Sequence, residues 1–148
     1  FNDVIADLSG RVLCGLVNPE SGGGAIYRLA TDGSIDKIID NLGMPNGMGF
    51  SPDEHTLYLA DTLAKIVYAF DYDAAERTPT NQRIYLDFRQ TGESPDGLTV
   101  DSEGAVWVAL SGSWSVRCFD RLGALVDKIE LPARKITSVG FGEPDPYQ

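Results

Sequence analysis

Apolar residues in this chain come in short runs, and the breaks between runs are rich in Gly, Pro, Asp and Asn. Ile26-Tyr27-Arg28-Leu29, Val67-Tyr68-Ala69-Phe70 and Val116-Arg117-Cys118-Phe119 are such runs, as are Leu57-Tyr58-Leu59-Ala60 and Val106-Trp107-Val108-Ala109. β-Branched and aromatic side chains in runs of this length, bounded by turn formers, read as strands joined by hairpins. Asp32-Gly33 and Leu122-Gly123 mark two turns, each leading into a further apolar strand at residues 35–39 and 125–131. No stretch of about 11 residues or more keeps the 3.6-residue apolar spacing of an amphipathic helix. The pattern predicts an all-β chain.

The runs also repeat. Pro45-Asn46-Gly47-Met48-Gly49-Phe50-Ser51-Pro52-Asp53 and Pro95-Asp96-Gly97-Leu98-Thr99-Val100-Asp101 are two copies of one segment. The stretch from Asn2 through Asp7 to Gly10-Arg11 is a third copy, and Ile136-Thr137-Ser138-Val139-Gly140-Phe141 is part of a fourth. Matching positions Asn2, Asn46, Asp96 and Thr137 are separated by 44, 50 and 41 residues. A period of roughly 40–45 residues with four short strands is that of a propeller blade. A β-sandwich also has regular short strands, but it does not require self-similar sequence. Two loops interrupt the rhythm, a glycine-rich one at residues 18–24 and a polar one at residues 73–81. The first lacks the Lys-Ser/Thr of a phosphate-cradling loop and reads as a hairpin.

Composition narrows the partners. With 12 Lys+Arg against 22 Asp+Glu, the 148 residues carry a formal charge of −10. Such a surface repels phosphate backbones, so nucleic acid is not expected as a partner. No run approaches the ~20 apolar residues of a membrane-spanning helix, so no membrane partner is expected either. Cys14 and Cys118 stand in apolar runs and form no CxxC pair; both read as buried free thiols, which fits a reducing, cytoplasmic setting.

In a propeller, equivalent positions of successive blades lie at one height around a central channel. Asn2, Asn46 and Asp96 share such a position, each ahead of an expected innermost strand. Two amide oxygens and a carboxylate make a hard-oxygen set suited to Ca²⁺, Mg²⁺ or Mn²⁺. Asn-Gly and Asp-Gly are also ordinary turn formers, but recurrence at one repeat position favours convergence on the axis. Asp3, Asp61 and Asp101 read as turn-bonding carboxylates, Glu93 and His55 as solvated loop residues, Trp107 as blade packing and Trp114 as a rim aromatic.

These motifs resemble the gluconolactonase, regucalcin (senescence marker protein) and luciferin-regenerating-enzyme-like family. The resemblance rests on Phe1-Asn2-Asp3 with Asp7 and Gly10-Arg11, on Pro45-Asn46-Gly47 with Phe50-Ser51-Pro52-Asp53, and on Pro95-Asp96-Gly97-Leu98 with Asp101 and Gly104. It implies a six-bladed β-propeller with one divalent cation in the channel, Ca²⁺ foremost, with Zn²⁺, Mg²⁺, Mn²⁺ or Fe²⁺ as alternatives. It also implies hydrolysis of sugar lactones. Carried over by motif, Asn46 and Asp96 are metal ligands, and Asn2 contacts substrate or the metal's water. Glu20 falls where relatives place a substrate-contacting Glu, although Leu16-Val17-Asn18-Pro19 departs from their pattern. The family's upstream Glu ligand and the Arg two places before its Asn have no counterpart here.

The chemistry so implied is metal-assisted hydrolysis, the ion polarising the lactone carbonyl and acidifying a water. Asp96 is then ligand and proton acceptor at once. A propeller that binds calcium or a protein partner without turnover is the alternative. Since closed propellers need about four to eight blades, residues 1–148 are expected to be the central part of a larger single domain. They would supply about three blades of it, with further chain or a second chain closing the ring.

Overall fold

The computed structural model describes residues 1–18, 23–73 and 78–142. Their strands form three four-stranded antiparallel sheets, each ordered as its strands follow in sequence. The first sheet holds β1 (Val4–Ala6), β2 (Val12–Val17), β3 (Gly24–Leu29) and β4 (Ile35–Leu42). The second holds β5 (Pro45–Phe50), β6 (Thr56–Asp61), β7 (Ile66–Asp71) and β8 (Thr80–Asp87). The third holds β9 (Ser94–Val100), β10 (Val106–Ser111), β11 (Ser115–Phe119) and β12 (Leu125–Glu130). These are the three expected blades, and no described residue is helical.

The core lies between the sheets. Leu13 and Ile26 of the first blade meet Met48, Leu57, Leu59 and Phe70 of the second. Tyr58, Val67 and Leu86 of the second meet Leu98, Val106 and Val108 of the third. Each blade thus hides one face under its neighbour, which accounts for sequence repetition at blade spacing. Burial falls from the centre outward: β6 is buried almost throughout, whereas every residue of β12 is exposed.

Asn46-Gly47 and Asp96-Gly97 lie inside β5 and β9 rather than ahead of them, and neither glycine has a positive φ. They are not turns. Glycine is required there by close approach of neighbouring backbone: a Cβ on Gly47 would lie 2.2 Å from Leu98 N in β9, and one on Gly97 would lie 2.8 Å from Ser138 Cα. The fourth partial repeat adds no strand, but Thr137 O accepts a hydrogen bond from Gly97 N at 3.0 Å, continuing the inner circle.

A polar clasp ties the first blade to the second. Asp7, buried at the end of β1, accepts from Arg11 Nε at 2.6 Å and from Tyr72 Oη at 2.7 Å, and Arg11 Nη2 reaches Tyr72 Oη at 3.2 Å. Burial alone would push the Asp7 carboxyl up, but the Tyr72 and Arg11 hydrogen bonds outweigh it and hold it below its ordinary value. A carboxyl lowered by folding stabilises the protein above its unfolded pKa, and that contribution fades as pH falls through the folded one. Tyr72→Phe is therefore expected to cost about 1–2 kcal/mol at neutral pH. The deficit should shrink below about pH 4, as measured by urea unfolding across pH. A deficit unchanged with pH would break the link to Asp7.

Cys118 is buried, and burial pushes its thiol up to about 11, leaving it inert near neutrality. Cys14 is only half-buried, and both cysteines are free. No helix among the described residues is long and apolar enough to cross a membrane.

Candidate active site

The site is built where the inner strands converge. Asn2 stands two residues ahead of β1, anchored through its backbone N–H to Gly15 O at 2.8 Å. Its side-chain Nδ2 donates to Pro45 O in the second blade at 2.9 Å. Asn46, the next residue along, is half-buried, and its Nδ2 donates to Thr62 Oγ1 at 3.0 Å. Thr62 Oγ1 in turn donates to Pro95 O in the third blade at 2.7 Å. Asp96 follows Pro95. Side-chain hydrogen bonds therefore link each inner strand to the next, Asn2 to Pro45 and Asn46 through Thr62 to Pro95, the residue before Asp96.

The electrostatics of Asp96 suit a cation. Burial raises its carboxyl above the ordinary value, the charge of Asp3 raises it further, and the Gly97 backbone N–H offsets part of this. Asp3 belongs to the first blade and Asp96 to the third, so its influence on Asp96 reaches past the intervening blade. Among the described residues, no Lys or Arg forms an ion pair with either carboxylate. Half-buried negative charge of this kind is costly unless neutralised. The amide bonds of Asn2 and Asn46 consume nitrogen only, leaving each Oδ1 as an acceptor. Amide oxygens and a carboxylate without a cationic partner are the donor types that suit a hard divalent cation. No three His, Cys, Asp or Glu side chains cluster among the described residues.

Asp61, at the end of β6, holds the approach to this site. It is buried and accepts from Gly43 N at 2.7 Å, Met44 N at 2.9 Å and Ala64 N at 3.1 Å. This fixes the backbone entering Pro45-Asn46. Asp101 serves its own turn, accepting from Glu103 N, Ala105 N and Trp107 Nε1, the last at 3.0 Å. Both are the turn-bonding carboxylates that the sequence suggests. Glu93 is different: it is half-buried in a two-point ion pair with Arg117 of β11, not solvated. His55 and Trp114 are exposed. Glu20 lies outside the described residues.

Thr62 escapes a reading by residue type, since a lone Thr at a strand end carries no motif. The strand registers show what marks it. Val4 pairs with Cys14, Met48 with Leu59 and Leu98 with Val108. Three residues beyond those partners stand Val17, Thr62 and Ser111, so a hydroxyl recurs in two of the three blades.

The SMP-30/Gluconolactonase/LRE-like region profile matches residues 1–147. The chain belongs to this family. It is 39% identical to the pentonolactonase XacC of Haloferax volcanii over 148 residues, which are 98% of this chain and 50% of that protein. Among solved structures, a luciferin-regenerating enzyme superposes with a TM-score of 0.90 at 30% identity, covering 97% of this chain and 50% of that one. A calcium-binding regucalcin of Agrobacterium tumefaciens superposes with a TM-score of 0.84 at 29% identity, covering 93% and 47%. The chain thus spans about half the length of the curated relatives it matches. The family match accords with the resemblance carried by the three Asn/Asp motifs, and the superpositions with propeller blades.

Proposed function

We propose that this chain supplies the catalytic channel wall of a divalent-metal-dependent lactonase acting on sugar lactones. The observation that carries the reading is the set of hydrogen bonds that commits the Nδ2 atoms of Asn2 and Asn46, to Pro45 O and to Thr62 Oγ1 on Pro95 O, and so spares both amide oxygens in the strands that lead to Asp96. The pentonolactonase name of a 39% identical relative supports the substrate class. The calcium-binding description of the Agrobacterium protein supports the cation.

In this reading Asn46 Oδ1 and the Asp96 carboxylate would hold the cation, with Ca²⁺ first among the alternatives. When bound, a divalent cation would polarise a lactone carbonyl and lower the pKa of a water. Asp96 would accept the proton that this water gives up as it attacks. Asn2 has its Nδ2 committed to Pro45 O, so its Oδ1 is left to accept from a sugar hydroxyl, and Glu20 is assigned a second substrate contact.

The activity is assigned to the closed ring. On the side of the first blade turned away from the second, Phe1, Cys14, Leu16, Tyr27, Leu29 and Ile35 line an apolar hollow of about 250 Å³. Alternation along β2 and β3 sends Leu13 and Ile26 to the inter-blade core and Cys14, Leu16, Tyr27 and Leu29 to the opposite face. Further blades of the propeller would cover that face, making residues 1–148 the central part of one larger domain.

The test is acid release from a panel of aldonolactones by the complete protein, titrated at constant pH. Opening that stops on chelation and returns with Ca²⁺ is expected. Calcium binding without lactone opening would favour the binding-protein reading that the calcium-binding neighbour suggests.

A further inference from the structure

We propose that Thr62 is a positioning residue that fixes which atom of the Asn46 amide faces the channel. The assignment rests on the reading of Asn46 as a cation ligand, and it follows from counting hydrogens. A backbone carbonyl can only accept, so Thr62 must spend its single hydroxyl hydrogen on Pro95 O, at 2.7 Å. Toward Asn46, 3.0 Å away, the same oxygen then has only lone pairs to offer. The amide must answer with Nδ2, and Oδ1 is turned away from Thr62 and left for a cation. The two ends of a side-chain amide are nearly identical in shape, so packing alone distinguishes them poorly. The cost of the wrong end is large, because Nδ2 carries two hydrogens and no lone pair for a metal.

The first blade shows the arrangement without the relay. Its equivalent of Thr62 is Val17, which has no hydroxyl, and there Asn2 Nδ2 reaches the neighbouring carbonyl, Pro45 O, directly at 2.9 Å. In both blades the amide nitrogen is occupied by the interface to the next blade and the oxygen is spared. Thr62 achieves this at one remove. The hydroxyl also ties ligand geometry to blade contact, since Pro95 immediately precedes Asp96.

The measurement is calorimetric Ca²⁺ titration of the complete, chelator-stripped protein, with metal-free thermal unfolding recorded alongside. Thr62→Val keeps the shape and removes both bonds; it should weaken Ca²⁺ binding by roughly 10–100-fold. Thr62→Ser should restore it, because only the hydroxyl is needed. In an Asn46→Asp background the same Thr62→Val change should cost little affinity, since a carboxylate has no nitrogen to turn inward. That contrast separates positioning from stability, which the valine would alter equally in both backgrounds. If Thr62→Val does not fold, Thr62→Ala takes its place in the comparison. Wild-type protein that binds no Ca²⁺ overturns this assignment together with the reading of Asn46. Wild-type binding that Thr62→Val leaves unchanged, or that it weakens equally in the Asn46→Asp background, overturns this assignment alone.

Discussion

Asp96→Ala in the complete protein should abolish lactone opening to within background and remove most of the Ca²⁺ affinity, while circular dichroism stays that of the folded protein. Asp96 is half-buried and without a cationic partner among the described residues, so removing it relieves a local charge rather than orphaning one. The fold should tolerate the change. Asp96→Asn separates the two roles of the carboxylate. It retains an oxygen that can bind a cation but cannot take a proton, so turnover should fall by roughly 10²–10⁴-fold with a smaller loss of affinity. Asp96→Ala with wild-type turnover and wild-type affinity would remove Asp96 from the site altogether.

Gly47→Ala is expected to be among the most destabilising single changes in the chain. Its methyl would lie 2.2 Å from Leu98 N, 2.6 Å from Gly97 C and 2.7 Å from Asp96 O. All three neighbours are backbone, so no side chain can swing aside and β5 must move away from β9. Overpacking of this severity costs about 3 kcal/mol. Gly33→Ala is the control. Gly33 has φ of +86° but nothing within 4 Å of its absent Cβ, so it should lose only about 1 kcal/mol through backbone strain. If metal-free melting ranked the two equally, the interlocking of inner strands would not be what fixes Gly47. Because the displaced atoms adjoin Asp96, Gly47→Ala should also weaken cation binding.

The repeat made the architecture legible. Strands on the inter-blade core, such as β6 and β7 with Leu57, Leu59, Val67 and Phe70, keep the apolar pattern because both faces are covered. β8 was not legible: its first five residues are exposed, so Thr80-Asn81-Gln82-Arg83 looks like loop. Outer strands owe their existence to pairing with the strand inside them, which leaves little mark on side-chain type. The shared repeat position of Asn2, Asn46 and Asp96, each next to or within an inner strand, was visible for the same reason as the fold. Features built from one residue meeting one backbone atom were not. Glycine at 47 and 97 suggests a turn until the neighbouring backbone is seen 2–3 Å from where a Cβ would sit. The Glu93–Arg117 pair joins residues 24 apart that share no motif. Thr62 gains its meaning from the direction of one hydrogen.

Anomalous diffraction from crystals of the complete protein grown with Mn²⁺ locates any bound ion without reference to turnover. A single strong peak bonded to Asn46 Oδ1 and an Asp96 oxygen, with Asn46 Nδ2 still on Thr62, is the expected result. A peak elsewhere, or none at saturating Mn²⁺ in crystals whose inner strands match these blades, would contradict the assignment of Asn46 and Asp96 as the metal-holding pair.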